Sequence, residues 1–265
     1  MQLKIRHTTT YRYDQPVDYA LQKVRLTPRA SGFQAISDWS VTCVGGRIET
    51  EYDDHFGNHV DLVNVDLGAT EVAITAQGTV TTQDVAGIVP HNKNSGPLWL
   101  YLQQTRATEA SAAIKALVVD LAKADDRIAA MHVLSADILT AVPYQVGSTH
   151  SHTTATEAMQ DGAGVCQDHA QIFISALRSA GVPARYVSGY LMMNDRVDQD
   201  ATHAWAEAYV DGLGWVGFDV SNGISPDERY VRVAVGRDAR DAAPAEGLRL
   251  GTADEQMVVT LQVQQ

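Results

Sequence analysis

The chain has 265 residues, of which 45% are hydrophobic and 20% charged, and it carries a formal net charge of −12. This composition is typical of a globular protein with one large domain or two ordinary ones. The negative charge repels phosphate backbones, so we expect no nucleic-acid partner. No run approaches the ~18 apolar residues of a membrane helix, and the N-terminus lacks a signal-peptide core. We therefore expect a cytoplasmic protein without a membrane partner, and its two cysteines exclude a disulfide scaffold. The sequence leaves the oligomeric state open.

The N-terminal part predicts a succession of β-strands. Residues 3–12 alternate between two faces with period two, which indicates a strand with one buried face. Pro16 ends this pattern. Short β-rich runs separated by Gly, Asp and Asn follow as far as residue 83. Such spacing predicts an antiparallel β-sandwich, which we assign to residues 1–100.

Helical patterns replace the strand patterns after about residue 100, and the first three predicted helices follow candidate N-cap residues. They cover residues 109–124 after Thr108, 127–142 after Asp125 or Asp126, and 155–160 after Thr154. A fourth helix is predicted over residues 167–180, and strand patterns follow it to the C-terminus. Residues 101–265 therefore predict an α+β unit, and the whole chain an α+β fold with a β-rich first half.

Cys166 lies between a glycine-rich turn and the fourth predicted helix, in the segment GAGVCQDHAQ. A thiol is a weak nucleophile because its reference pKa is about 8.5. At a helix N-terminus, unpaired N–H groups favour the thiolate, and the backbone N–H of Cys166 could also hold an oxyanion. Gln145 is a candidate for the second oxyanion donor, against a solvated loop amide. The alternative for Cys166 is a small buried residue at a helix start.

A cysteine nucleophile needs a base and a group that orients the base. His203 lies on a predicted strand that places Trp205 and Glu207 on the same face, which suggests the wall of a cleft. Asp219 lies on the next predicted strand, where a carboxylate is costly unless it is paired. The alternative is that His203 is a strand histidine with a purely structural partner.

The hairpin between these two strands sets a condition on the site. His203 and Asp219 share a face only if the connecting loop has an odd length. A three-residue loop at 211–213 places Trp205 opposite Asp219, with His203 diagonal to it. A two-residue Asp-Gly turn would place the two side chains on opposite faces. We therefore predict an odd-length loop or a bulge.

Several segments resemble the transglutaminase-like superfamily, whose core is papain-like. They are GVCQDHAQIFISALRSAGVPARYVSGYL, THAWAEAYV and GWVGFDVSNG. The N-terminal segments LKIRHTTTYRYDQPVDYALQKVRLTPR and DDHFGNHV resemble the β-rich N-terminal region of bacterial members. The resemblance implies that residues 101–265 form a core of helices packed on an antiparallel sheet. It also implies a catalytic triad of Cys166, His203 and Asp219.

The implied chemistry is acyl transfer at amide bonds, and a peptidase or amidase is favoured. The alternatives are a protein-glutamine transamidase, which cross-links or deamidates, and a binding module that keeps the fold without turnover. The expected partner is a peptide or protein acyl donor, with an amine acceptor in the transamidase case. One departure is His169, where relatives usually carry phenylalanine, and we expect it to replace an aromatic packing residue. The alternative is that it faces the cleft, one helical turn after Cys166, and shifts the pKa of the thiol.

No cofactor and no metal are predicted. The acidic segment DRVDQD (195–200) lacks the spacing, the glycine and the terminal glutamate of an EF-hand loop. His55 and His59 flank a turn signal and would not share a helical face. His150 and His152 lie in a polar loop, where only adventitious metal binding is expected.

Overall fold

The structure is a computed structural model that describes residues 1–90, 96–199, 201–250 and 254–265, without the side chain of Ala122. Its strands are β1 (Gln2–Tyr13), β2 (Tyr19–Val24), β3 (Gln34–Val44), β4 (Gly46–Asp53), β5 (His59–Val65), β6 (Glu71–Thr82), β7 (Ile88–Val89), β8 (Ala184–Leu191), β9 (Asp198–Gln199), β10 (His203–Val210), β11 (Gly214–Phe218), β12 (Tyr230–Gly236), β13 (Ala245–Leu250) and β14 (Glu255–Gln264). Its α-helices are α1 (Ala112–Ala116), α2 (Arg127–Ala141), α3 (Ala155–Asp161) and α4 (Cys166–Ser179). Among the described residues, no helix combines the length and apolarity needed to cross a membrane.

Two antiparallel sheets form the predicted N-terminal sandwich. Their strand orders are β3-β6-β1-β14-β9 and β13-β2-β5-β4. Strand β1 alternates buried and exposed residues, as its sequence predicts, and its Tyr11 and Tyr13 join the apolar core between the two sheets. Val24 of β2, Val63 of β5 and Ile74 of β6 complete the packing from both sides. The predicted sandwich is therefore confirmed.

The last two strands return to the sheets built by the first residues. Strand β14 pairs antiparallel with β1, and β13 pairs with β2. Strand β7, in contrast, joins the third sheet by pairing with β11. Strands from before and after residue 100 therefore share sheets. The division of the chain into two domains at residue 100 stays a prediction.

The third sheet carries the helices and has the antiparallel order β12-β8-β10-β11-β7. Helix α4 packs against β8 and β10, where Ala204, Ala206 and Ala208 turn their small side chains toward Ile172, Phe173 and other apolar residues of the helix layer. Small residues on the strand let the helix approach closely, and this layer buries the largest of the apolar clusters. The predicted core of helices on an antiparallel sheet is confirmed, and with it the α+β class.

The helix predicted after Thr108 is much shorter in the structure. A short 3₁₀ turn ends at Thr108, whose buried hydroxyl oxygen accepts hydrogen bonds from the Thr105 backbone and from Arg178. Helix α1 begins only after Ser111, whose side chain accepts a hydrogen bond from the Ile114 backbone. The prediction was wrong here because a distant arginine uses the hydroxyl that was expected to cap a helix.

The caps of the next two helices are as predicted. Asp126, one of the two candidates, accepts a hydrogen bond from the Ala129 backbone at the start of α2. At α3, Thr154 and Glu157 bond each other's backbone N–H groups in a reciprocal capping box. These local devices depend only on neighbouring residues, which is why the sequence indicates them.

His7 is buried where the first sheet meets the third. Its Nδ1 lies 3.1 Å from the Tyr190 hydroxyl on β8, and its Nε2 lies 3.1 Å from Thr9 Oγ1. Burial lowers the pKa of His7 to about 4. The imidazole is therefore neutral at neutral pH and part of a hydrogen-bonded contact between sheets.

Protonation of His7 is expected to weaken the fold at acid pH. Its pKa is about 4 in the folded state and 6.5 in the unfolded state, so its contribution is complete above pH 6.5 and is lost as pH falls toward 4. A difference of about 2.5 pKa units corresponds to roughly 3 kcal/mol. Urea unfolding should show a steeper acid loss of stability in the wild type than in His7→Gln. Parallel pH profiles would contradict this role of His7.

Candidate active site

Cys166 is the first residue of α4, as the sequence indicates, and its thiol is half-buried. The preceding Val165 is extended, so the chain turns sharply into the helix. Gly164 permits this turn because a Cβ there would lie 2.9 Å from Asp168 Cβ. The N–H of Cys166 belongs to the first helical turn, whose N–H groups have no partner within the helix.

Asp168 fixes the start of α4, a role that the sequence analysis missed. It is fully buried, and its Oδ2 accepts hydrogen bonds from the Val165 N–H at 2.8 Å and from the Thr149 hydroxyl at 2.6 Å. An acidic residue at the third helical position is the signal that could have indicated this cap. The carboxylate thus holds the turn that presents the thiol.

His203, the first residue of β10, contacts both other members of the predicted triad. Its Nε2 lies 2.6 Å from Asp219 Oδ2, and the Cys166 side chain lies close enough to the imidazole to help raise its pKa. Because Nε2 faces the carboxylate, Nδ1 is the nitrogen left for the sulfur. The structure therefore brings Cys166, His203 and Asp219 together; we call them the thiol cluster.

The hairpin register that allows this contact is the predicted one. Val210 pairs with Gly214 and Ala206 with Phe218, which leaves a three-residue loop at 211–213. Continuing the same register places Trp205 opposite Asp219 and His203 diagonal to it. The predicted odd-length loop is confirmed.

Asp219 is fully buried and, besides its contact with His203, accepts three hydrogen bonds from Asn222 and Tyr230. Asn222 donates from Nδ2 to Oδ2 at 2.7 Å and from its backbone N–H to Oδ1 at 3.2 Å. The Tyr230 hydroxyl on β12 donates to Oδ2 at 2.7 Å. Neither residue was predicted from the sequence, although the aspartate of a turn such as Asp-Val-Ser-Asn-Gly (219–223) commonly accepts hydrogen bonds from the residues that follow it.

The hydrogen bonds within the thiol cluster determine its charge state. Burial alone would lower the pKa of His203, but the hydrogen bonds and charges of Asp219 and Cys166 raise it to about 10. Burial would raise the pKa of Asp219, but the hydrogen bonds from His203, Asn222 and Tyr230 hold it below its usual value. Because the pKa of His203 is raised and that of Asp219 is lowered, the pair is an imidazolium and a carboxylate at neutral pH.

His169 is buried behind the thiol cluster and takes the expected packing role, with Tyr144 6.1 Å away between ring centres. Its Nε2 lies 2.7 Å from the Val142 carbonyl, so that nitrogen carries the proton. Its Nδ1 then accepts from the Ser221 hydroxyl at 2.8 Å. Burial lowers the pKa of His169, so the ring is a neutral bridge between loops.

The loop before α3 lines the thiol side of the site. Burial raises the pKa of Tyr144, and the charges of Cys166 and Asp219 raise it further, which places this half-exposed ring beside both. The Gln145 backbone N–H donates to the Gly164 carbonyl, and the Gln145 side chain is exposed. Its role as an oxyanion donor stays a prediction.

Comparisons with known proteins agree with this architecture. Residues 115–220 match the model of the transglutaminase-like superfamily, and residues 3–81 match that of the bacterial transglutaminase-like N-terminal region. The chain belongs to the transglutaminase-like superfamily. The first matched range contains all three members of the thiol cluster.

Relatives of this superfamily member cover almost its whole length. An uncharacterised protein of Mycobacterium leprae is 27% identical over 98% of both chains, and one of Mycobacterium tuberculosis is 29% identical over 98% of this chain and 91% of its own. The crystal structure of a proposed cysteine protease from Cytophaga hutchinsonii superposes with a TM-score of 0.77 at 27% identity. That match covers 99% of this chain and 90% of the other. Two-layer sandwich and helix-covered sheet therefore occur together in a solved relative.

In this transglutaminase-like chain, the face of β10 that was expected to line a cleft carries His203 in the thiol cluster, and its Trp205 and Glu207 line a small cavity. Glu207 is buried and pairs with Arg185 of β8 and Arg232 of β12, at 2.5 Å and 3.1 Å between nitrogen and oxygen. The two guanidinium groups hold the pKa of Glu207 below its usual value against the effect of burial. Glu207 therefore belongs to a buried ion-pair layer as well as to the lining of this cavity.

Possible metal ligands of this chain are grouped away from the thiol cluster. In the acidic segment, Asp195 pairs with Arg196, Asp198 bonds the Gln262 side chain, and Asp200 lies outside the described residues. Within the described ranges, Glu51, His59 and Asp61 of the sandwich have ligand atoms within 4.8 Å of one another.

Proposed function

We propose that this chain is a cysteine-dependent acyl-transfer enzyme that hydrolyses amide bonds in peptides or proteins. One observation carries the proposal: a buried imidazole that hydrogen-bonds a buried carboxylate and has a half-buried thiol beside it. Membership of the transglutaminase-like superfamily supports it, as does the 27% identity to a proposed cysteine protease.

In the first half of the reaction, the Cys166 thiolate attacks the carbonyl carbon of an amide. The sulfur–carbon bond forms, and the carbonyl electron pair moves onto oxygen. When the carbon–nitrogen bond breaks, His203 Nδ1 gives its proton to the leaving amine and becomes neutral. Asp219 accepts a hydrogen bond from Nε2 throughout, which keeps the ring in the orientation that reaches the sulfur.

In the second half, neutral His203 accepts a proton from water as the water oxygen attacks the thioester. The carbon–sulfur bond breaks, the acid product leaves, and the Cys166 sulfur is again a thiolate beside the protonated His203. An oxyanion forms in both halves, and the Cys166 N–H at the start of α4 is the donor positioned to stabilise it. A primary amine that replaces water would give transamidation through the same thioester.

The reaction is expected to appear as specific cleavage or modification in a peptide library. Wild-type protein is incubated with the library with and without a primary amine, and the products are identified by mass spectrometry. We expect cleaved peptides, with a mass gain of one water per bond. Amine-linked glutamine products would instead identify a transamidase.

Two variants make this experiment decisive. Cys166→Ala should form no product because it has no nucleophile, whereas Cys43→Ala should act like the wild type because Cys43 lies in the sandwich. Equal product from Cys166→Ala and wild type would overturn the proposal. An inert wild type whose Cys166 reacts like a free thiol would identify a binding module that keeps the fold.

A further inference from the structure

A group of three potential metal ligands lies on strands β4 and β5 of the sandwich, in a different sheet from the thiol cluster. Glu51 pairs across the strands with Asp61, and His59 lies two residues before Asp61 on the same strand. Since residues two apart on a strand share a face, all three side chains point to the same side of the sheet. The group was not predicted from the sequence because Glu51 meets the other two residues only through the pairing register of β4 and β5.

The separations between the ligand atoms fit a small cation. His59 Nε2 lies 3.2 Å from Asp61 Oδ1 and 3.7 Å from Glu51 Oε2. Zinc binds nitrogen and carboxylate oxygen at about 2.0–2.2 Å in tetrahedral geometry, which puts neighbouring ligand atoms about 3.3–3.6 Å apart. The two separations from His59 are within a few tenths of an ångström of this range, and all three ligand atoms lie within 4.8 Å of one another.

The three side chains lead from solvent into the sandwich. The exposed fraction is 60% for the Glu51 side chain, 20% for His59 and 3% for Asp61. An ion could therefore enter along Glu51 and stop at Asp61. The group therefore has an exposed ligand, Glu51, at the surface and a buried ligand, Asp61, inside the sandwich.

A second observation, at Asp61, points to a cation as a ligand of this group. Its Oδ2 is buried and has no hydrogen-bond partner among the described residues. A buried carboxylate oxygen without a partner is costly, and native proteins usually satisfy such atoms with a hydrogen bond, a charge or a metal.

We propose that Glu51, His59 and Asp61 bind a divalent transition-metal ion, with Zn²⁺ as the fitting member of this class. One imidazole nitrogen and two carboxylate oxygens leave a fourth tetrahedral position for water. Calcium is disfavoured because it requires six to eight oxygen ligands. The ion would join β4, an edge strand of its sheet, to β5 and so stabilise the sandwich.

Metal titration of the full-length protein tests this site directly. After treatment with a chelator and its removal, isothermal titration with Zn²⁺ should show one strong site per chain, and Co²⁺ should give the visible absorption of a tetrahedral complex. Loss of an outer-shell partner alone weakens metal binding by about 10–100-fold. His59→Gln and Glu51→Gln, which each remove a ligand, should therefore weaken Zn²⁺ binding at least about tenfold.

The matched control is His150→Gln, which removes an exposed histidine outside the group and should leave binding unchanged. Zn²⁺ should also raise the melting temperature of the wild type and of His150→Gln but not of His59→Gln. The proposal is overturned if the wild type binds no Zn²⁺, or if binding survives both ligand substitutions. It is also overturned if only His150→Gln loses binding. Iodoacetamide reactivity of Cys166 should be the same with and without the ion, which separates this site from the proposed function.

Discussion

Asp219→Asn is expected to abolish the enhanced reactivity of Cys166 and to lower turnover by ~10⁴-fold, the scale seen when the aspartate of a triad is replaced by asparagine. Asp219 Oδ2 now accepts from the imidazole Nε2–H at 2.6 Å. An asparagine amide that donates to Nε2 would move the imidazole proton to Nδ1, the nitrogen that faces the sulfur. A neutral ring in that tautomer cannot take the thiol proton. Iodoacetamide alkylation of Cys166 at neutral pH, followed by mass spectrometry, measures the effect.

The control for this variant is Asp227→Asn. Asp227 is partly exposed and pairs with Arg229 rather than with His203, so the same chemical change there should leave the alkylation rate unchanged. Circular dichroism of both variants separates loss of reactivity from loss of fold. A folded Asp219→Asn protein with wild-type alkylation kinetics would show that the carboxylate does not orient the base.

Glu207→Gln is expected to destabilise the folded state by about 3–5 kcal/mol, the usual cost of removing one partner from a buried ion pair. Glu207 and Arg185 are both at most 2% exposed, and Glu207 also holds Arg232. The amide would leave two guanidinium groups next to each other without a compensating charge. The Arg185 guanidinium also lies 4.0 Å from the Trp215 ring centre, so it has little room to reach solvent. The free energy of unfolding in urea gives the measurement.

Glu71→Gln provides the matched comparison for Glu207. Glu71 forms an ion pair with Arg12 between neighbouring strands, and both side chains are more than half exposed. Exposed pairs contribute about 0–1 kcal/mol, so this variant should remain close to the wild type. A similar loss in both variants, or none in Glu207→Gln, would contradict a structural role for the buried ion-pair layer.

The sequence predicted those parts of the site that depend on local devices and on one register argument. The helix start at Cys166, the reciprocal cap of Thr154 and Glu157, and the three-residue hairpin loop are short-range features. The odd number of residues in the loop at 211–213 was enough to predict that His203 and Asp219 lie on one face of the sheet. The superfamily resemblance then added the contact between His203 and Cys166, which lie 37 residues apart.

The rest depends on partners that are remote along the chain. Tyr230 lies on β12, which pairs with β8 on the far side of β10 from Asp219. No local sequence pattern indicates this strand order, so the hydrogen bond from Tyr230 to Asp219 could not be predicted. Arg178 donates a hydrogen bond to the Thr108 hydroxyl, so this hydroxyl does not cap the helix that was predicted to begin there. The pairing of β14 with β1 joins the two ends of the sequence, and alternation within each strand says nothing about which strands meet.

The rate of Cys166 alkylation at neutral pH tests the account most directly, because its central claim is that the neighbouring His203 activates this thiol. Cys43 gives an internal comparison, since burial raises the pKa of its thiol to about 11. Iodoacetamide should label Cys166 faster than Cys43 and faster than glutathione at neutral pH. A Cys166 rate no higher than that of glutathione would contradict the activated thiol and the function proposed from it.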